Sequence, residues 1–338
     1  MGCSNCLPLR AITADAPPPT KGKPSTDGMG IAFLQPLGED SLDHSPWTSA
    51  SGRNPPRRSE TVSAGRLQTV DPETRLILIS DPGQDLDDEM AFIMTRLLVE
   101  DGLVDLRGVI CTLAPAYDRA RLCRGTLDLL GLRRVPVGIG SDGGDITGTH
   151  SAAPFEKGAQ TYMPGTNSEQ AMNLEPGQKL LGDLYEMATA KSLTILCIAS
   201  LKDLALFLRD NEQLFVEKTK EVVIMGGVDV PAGSTLHDGS YLVPDTAHNQ
   251  EFDRAASIFL FRRCQELGVS LIVVSRWAAY AVKMPRNTYD QLAMSGSSVG
   301  RRLRNAQRDS IEQLWARACA PEGDARRKGL PARCDRKW

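Results

Sequence analysis

From residue 75 onward, short apolar runs alternate with stretches whose apolar residues recur at helical spacing. Short apolar runs between turn signals are typical of strands that are buried on both faces. The predicted strands span 75–80, 106–113, 135–137, 193–198, 222–225 and 270–274. The predicted helices span 87–100, 117–130, 177–190, 201–208 and 252–267. This alternation predicts an α/β fold with a Rossmann-like, mostly parallel sheet and helices on both of its faces.

The first 70 residues have a different composition from the rest of the chain. They contain nine of the 21 prolines, and Ser, Gly and Thr fill much of the remainder. Apolar residues recur there at neither strand nor helical spacing, so the segment cannot bury enough apolar surface to offset its chain entropy. We therefore predict a disordered N-terminal tail over 1–70, followed by a single folded domain over 71–338.

The N-terminus itself carries possible lipidation sites. Gly2 could be myristoylated after removal of Met1, and Cys3 and Cys6 could be palmitoylated. Two acyl chains anchor a protein stably to a membrane, whereas one binds weakly. An ordinary, unmodified N-terminus is an equally good interpretation. No secretory signal is visible, so we expect a cytoplasmic protein, anchored to a membrane surface if Gly2 is acylated.

Charge and cysteine content exclude several classes of protein. The formal net charge is −3, which gives no basis for a nucleic-acid-binding protein driven by net charge. The eight cysteines are spread over a long chain, which favours reduced, buried thiols over a disulfide scaffold. A chain without a run of about 18 apolar residues also lacks a transmembrane helix.

The loop after the first predicted strand is the first place to look for chemistry, because ligands of parallel sheets bind beyond the carboxyl ends of the strands. It contains five acidic residues, Asp81, Asp85, Asp87, Asp88 and Glu89. Carboxylates held this close repel one another unless a cation neutralises them, and hard oxygen ligands suit Ca²⁺ or Mg²⁺. The alternative is a solvated turn in which Asp87 or Asp88 caps the following helix.

Four sequence blocks, in order, resemble the inosine/uridine-preferring nucleoside hydrolases. The first is Asp-Pro-Gly at 81–83 with the pair Asp87-Asp88, after a run of Ile and Leu. The others are the strand and turn at 193–205, Met-Gly-Gly at 225–227, and an Asn followed by Asp-Arg-Ala-Ala within 249–256. Each block alone is weak, but their order over roughly 75–285 makes the resemblance specific.

The resemblance implies a Ca²⁺-dependent N-glycosidase with its metal in the acidic loop. Asp81 and Asp88 would be metal ligands, Asp81 would also be the general base, and the backbone carbonyl of Ile198 would be a further ligand. Either Asp85 or Asp87 could take the first place of the family's Asp pair. Asp87 is favoured because it is adjacent to Asp88, and Asp85 is the alternative ligand.

The resemblance also implies how a sugar would be held. Asp87 would bind the ribose 2′-hydroxyl, and Met225 and Asn249 would line the ribose pocket. The expected reaction is cleavage of the N-glycosidic bond of a ribonucleoside, or a related N-riboside, to base and ribose. The alternative is a non-catalytic, membrane-tethered protein that keeps the fold and binds a nucleoside-like ligand. Family members commonly form dimers or tetramers, so a homo-oligomer is expected.

One feature of the family pattern has no clear counterpart near the C-terminus. The family places a final Asp there, which completes the metal shell and grips the ribose 3′-hydroxyl. The candidates Asp290, Asp309, Asp324 and Asp335 all lack the expected surroundings. The sequence therefore predicts a chain that is truncated at its C-terminus and catalytically incomplete.

Overall fold

The computed structural model describes residues 10–12, 74–83, 85–144, 163–229, 241–282, 284–327 and 330. Almost all of the predicted tail, with Gly2, Cys3 and Cys6, lies outside these residues. Three residues of it, Arg10–Ile12, are described, and they form a short strand that pairs in parallel with the strand Ser270–Ser275.

A parallel sheet forms the centre of the described structure. Its strands in chain order are β1 (Arg10–Ile12), β2 (Thr74–Ser80), β3 (Val104–Cys111), β4 (Val137–Ile139), β5 (Glu175–Pro176), β6 (Leu193–Cys197), β7 (Thr219–Gly226) and β10 (Ser270–Ser275). The spatial order is β1-β10-β7-β6-β2-β3-β4-β5, and every neighbouring pair is parallel. A separate antiparallel pair joins β8 (Val228–Asp229) to β9 (Val243–Pro244). The prediction of a mostly parallel sheet is confirmed.

Helices connect the strands. They are α1 (Asp87–Glu100), α2 (Ala116–Leu129), α3 (Glu169–Met172), α4 (Gly177–Glu186), α5 (Lys202–Asp210), α6 (Glu212–Lys218), α7 (His248–Glu251), α8 (Arg254–Glu266), α9 (Arg276–Ala281), α10 (Thr288–Met294) and α11 (Ser298–Ala318). None of the helices in the described ranges has the length and apolar character needed to cross a membrane.

The two faces of the sheet carry different helices, as the alternation of side chains along β2 shows. Ile77 and Ile79 are fully buried on one face, in a core that includes residues of α4, α5 and α8. Leu76 and Leu78 belong to the core on the other face, with residues of α1 and α2. Successive side chains of a strand point to opposite faces, so β2 lies between two helical layers and is apolar throughout.

Some predicted boundaries were wrong, for identifiable reasons. The predicted strand 106–113 ends at Cys111, because Leu113 has a φ of 71°, outside the extended region. The predicted strand 135–137 begins only at Val137, after Pro136, which has no N–H to donate to a ladder. The predicted helix 177–190 ends at Glu186, ahead of a turn in which Lys191 has a φ of 51°.

The order of the strands creates a crevice between β2 and β6. After β2 the chain builds β3, β4 and β5 on one side; it then returns to the other side of β2 and builds β6, β7 and β10. The loops after β2 and β6 therefore diverge in opposite directions at the carboxyl edge. Such a topological switch point is where open α/β sheets bind their ligands. The acidic loop that follows β2 lies on one side of this crevice.

Candidate active site

The acidic loop is anchored by hydrogen bonds within its own segment. Ser80 Oγ donates to Asp88 Oδ1 at 2.5 Å, and the backbone N–H of Asp81 donates to the same oxygen at 3.0 Å. Asp88 is 1% exposed, so both bonds are shielded from water. These bonds also explain why the expected capping role of Asp87 or Asp88 is wrong: Leu86 occupies the N-cap position of α1 without a side-chain hydrogen bond, because Asp88 bonds back to β2.

Three carboxylates of the loop converge closely enough to bind one cation. Asp85, Asp87 and Asp88 each offer an oxygen, and these oxygens lie within 4.8 Å of one another. Asp85 and Asp87 reach solvent at the mouth of the site, whereas Asp88 is buried. The donor set is all oxygen and strongly anionic, which fits Ca²⁺ or Mg²⁺ rather than a metal that prefers sulfur or nitrogen ligands.

The charges of the loop strongly perturb its acids. The pKa of Asp81 is raised to about 7, chiefly by burial and in part by the charge of Asp87, against the opposing positive charge of Arg119. Desolvation by the surrounding protein atoms, although part of the Asp87 side chain reaches solvent, and the charge of the neighbouring Asp85 raise the pKa of Asp87 to about 8. Burial, then the charges of Asp81 and Asp87, also raise the pKa of Asp88. Raised pKa values of this kind are common where carboxylates lie close together at functional sites, and a cation bound among them would favour their charged forms.

The sequence-predicted ligands fall into two sets. Asp85, Asp87 and Asp88 form the converging group, so both alternatives for the Asp pair belong to it. Asp81 lies outside that group, although its backbone contacts Asp88 and its charge acts on Asp88. The role of Asp81 as a metal ligand stays a prediction.

The opposite side of the crevice brings together the other predicted site residues. Asn249, in α7, donates through Nδ2 to the carbonyl oxygen of Ile198 at 3.0 Å and to that of Met225 at 3.5 Å. Ile198 in turn donates its N–H to the carbonyl of Ile79, at the end of β2. The Ile198 carbonyl thus already accepts one bond, and its second lone pair is the one that a cation could use.

Sequence reasoning missed three residues beside the acidic loop. Arg119 in α2 is fully buried and donates to backbone carbonyls of the loop. Tyr289 in α10 is 9% exposed, and its burial, with the charges of Asp87 and Asp85, raises its pKa. Arg302 in α11 forms a buried ion pair with Glu89 at 2.9 Å. Of these three, only Arg119 could have been predicted to be buried from the sequence. It lies four residues before the apolar Cys123, on the same face of its helix.

The C-terminal candidates do not join the acidic group in the part of the chain that is described. Asp290 and Asp309 are exposed on α10 and α11. Asp324 pairs with Arg326 at 2.7 Å, and Asp335 lies outside the described residues. The expectation of a missing final ligand stays a prediction.

Comparisons with known proteins agree with the four sequence blocks. The family model described as "Inosine-uridine preferring nucleoside hydrolase" matches residues 76–309. The comparison with curated proteins gives no match.

Similar solved structures include two effector proteins. The type III effector protein XopQ, in complex with adenosine diphosphate ribose, is 28% identical, with a TM-score of 0.67 over 74% of this chain and 69% of its own. The effector protein XOO4466 is 27% identical, with a TM-score of 0.69 over 80% of this chain and 72% of its own. The purine-preferring ribonucleoside hydrolase from Gardnerella vaginalis is 17% identical, with a TM-score of 0.50 over 68% of this chain and 70% of its own, and it shares the fold.

Proposed function

Because the chain belongs to the inosine-uridine preferring nucleoside hydrolase family, we propose that it hydrolyses the N-glycosidic bond of a ribonucleoside or a related N-riboside. The products would be a free base and ribose, or the corresponding substituted ribose. The observation that carries the proposal is the convergence of Asp85, Asp87 and Asp88 at the topological switch point of the sheet. Open α/β sheets commonly bind their ligands at such a point, and a cation there would relieve the repulsion among the clustered carboxylates.

We propose Ca²⁺ as the cation of this site. The residues fit it, because the group offers several carboxylate oxygens and the carbonyl of Ile198 lies across the crevice. A bound divalent cation would lower the pKa of a water molecule and neutralise the carboxylates around it. The chain's own contribution is to fix these oxygens in advance, through the bonds from Ser80 and the Asp81 backbone to Asp88.

Asp81 is the proposed general base. It stands at the end of β2, it is 8% exposed, and its backbone is bound to the neighbouring ligand Asp88. A buried carboxylate in this place can take a proton from water as water attacks C1′ of the ribose.

Asp87, Met225 and Asn249 are the proposed sugar contacts. Asp87 reaches solvent in the loop beside the crevice, so its carboxylate can accept a hydrogen bond from a ribose hydroxyl. The Asn249 side chain is oriented by its bonds to the carbonyls of Ile198 and Met225. Carboxylates around the ring also favour the positive charge that develops on the ribose as the base leaves.

A second candidate function is binding without turnover. It is favoured by the similarity to XopQ, an effector whose structure holds adenosine diphosphate ribose. In that case the same crevice would hold the ribosyl group of a larger ligand, and the perturbed acids would serve affinity rather than catalysis.

Two assays on the same protein separate the candidates. The first measures release of free base and reducing sugar from a panel of inosine, uridine, adenosine and adenosine diphosphate ribose, in Ca²⁺ and in EGTA. The second measures the affinity of the same compounds by calorimetry. Ca²⁺-dependent release from any compound supports the hydrolase. Tight binding of one of them with no release in either condition supports the binding protein. If the protein neither binds nor cleaves any of the compounds, both candidate functions are excluded.

A further inference from the structure

Among the described residues, Arg119 is the largest side chain that is fully buried. It lies in the first turn of α2, on the helical layer that covers the face of β2 carrying Leu76 and Leu78. A guanidinium that is removed from water must satisfy its donors inside the protein, so its partners indicate its role.

The guanidinium of Arg119 joins two loops that are far apart in sequence. Its Nη1 donates to the carbonyl oxygens of Asp81 and Pro82, at 2.6 and 2.9 Å. Its Nε donates to the carbonyl of Leu113 at 3.1 Å, and Nη2 donates to that of Ala114 at 3.3 Å. One side chain therefore holds the start of the acidic loop after β2 against the loop after β3.

The loop after β3 needs this support, because it contains strained backbone. Leu113 has a φ of 71°, in the left-handed region that non-glycine residues seldom adopt. The Leu113 N–H donates to the Ser141 carbonyl, and its own carbonyl accepts from Arg119. Such a conformation persists only where surrounding contacts determine it, and it is often found beside functional sites.

We propose that Arg119 is a positioning residue, which clamps the acidic loop to the loop after β3 and so presets the geometry of the cation site. The proposal rests on the cation site of the proposed function, but the clamp itself is a property of the metal-free chain. It depends on the planar fork of five donors, and not on positive charge alone, because four carbonyls in two loops are held at once.

A simpler view is that any buried arginine in α2 stabilises the fold to the same degree and has no special effect on the site. The chain offers a matched control for that view. Arg124 lies in the same helix and is 7% exposed, and it also donates to backbone carbonyls, those of Val135 and Leu132. These carbonyls precede β4, at the opposite edge of the sheet from the acidic loop.

The test compares Arg119→Lys and Arg119→Met with Arg124→Lys and Arg124→Met, by calorimetric titration of Ca²⁺ into the metal-free proteins. Substituting a residue that orients metal ligands typically weakens metal affinity about 10- to 100-fold. We expect a loss of this size in both Arg119 variants and wild-type affinity in both Arg124 variants. If Arg119→Lys binds Ca²⁺ like the wild type, charge alone suffices and the clamp is refuted. Equal losses at both positions would show a general effect of stability and also refute it.

Hydrogen exchange in EGTA keeps the proposal testable if a variant fails to fold or if the wild type binds no Ca²⁺. In the wild type, the amides of Asp81, Leu113 and Ala114 should exchange slowly without any cation. Where Arg119→Lys folds, it should lose this protection, whereas Arg124→Lys should keep it. Fast exchange at these amides in the metal-free wild type would overturn the clamp. Absence of Ca²⁺ binding with protection intact would overturn the proposed cation and leave the clamp standing.

Discussion

Replacing the buried Arg302 by Met should lower the free energy of unfolding of this protein more than most single substitutions in its helices. Arg302 Nη2 lies 2.9 Å from Glu89 Oε2, and the side chains are 5% and 0% exposed. The pair joins α11 to the first turn of α1, beside the cluster of Tyr289, Val299 and Leu303. Because the buried Glu89 carboxylate would lose the guanidinium that neutralises it in this pair, the substitution should cost about 3–5 kcal/mol of unfolding free energy.

The cost of leaving the buried Glu89 charge without Arg302 can be separated from the cost of lost packing. In the double variant Glu89→Met/Arg302→Met, the buried carboxylate disappears together with its partner. Replacing a buried ion pair by apolar residues of similar volume is often neutral or stabilising. The double variant should therefore recover most of the stability that Arg302→Met loses, so the two substitutions should be strongly non-additive.

Urea denaturation of the wild type, both single variants and the double variant measures the four free energies. The exposed Arg308→Met, in the same helix, is the matched control and should change stability little. A cost of less than about 1 kcal/mol for Arg302→Met, the range of solvent-exposed pairs, would contradict a buried and strongly coupled ion pair. Simple addition of the two single effects in the double variant would contradict it as well.

Three further predictions follow from the site and the tail. Asp85→Asn and Asp87→Asn should both weaken Ca²⁺ binding in calorimetry, since both belong to the converging group; wild-type affinity in either variant would remove that residue from the set. The pKa values of Asp81 and Asp87, about 7 and about 8, lie above the ordinary 3.8, so the metal-free protein should lose stability in urea as the pH rises from about 4 through about 8. Ca²⁺ should reverse that loss most at the alkaline end, and a flat profile in EGTA would contradict the raised pKa values of these two acids. Gly2→Ala should move the protein from the membrane to the soluble fraction if Gly2 is acylated, and equal partition of the two forms would exclude the anchor.

Helical and strand periodicity located most of the sheet and its first helix. The predicted helix 87–100 has the same bounds as α1. Its apolar residues recur at helical spacing over this range and no further. The short strand at Arg10–Ile12 has no such pattern, and pairing with β10 defines it. Likewise, the turn after β3 depends on Leu113, whose left-handed backbone no local residue preference indicates.

The acidic loop could be found in the sequence because its residues are close together in the chain. The residues that support it could not be found in this way, because they come from distant parts of the chain. Ser80 and Asp88 are separated by one short loop, so their meeting follows from a strand-to-helix turn. Arg119 meets Asp81 only because β3 lies beside β2 and α2 returns over them. Glu89 and Arg302 are brought together by packing between helices far apart in the chain, which no spacing rule encodes.

The central claim is that the crevice beside the acidic loop hydrolyses an N-riboside with Asp81 as its base. The most direct measurement is the initial rate of ribose release, in Ca²⁺, by the wild type, Asp81→Asn and the exposed control Asp309→Asn. The claim predicts that Asp81→Asn lowers kcat by about 10²- to 10⁴-fold without loss of folded protein, and that Asp309→Asn keeps the wild-type rate. An Asp81→Asn variant that releases ribose as fast as the wild type would contradict it.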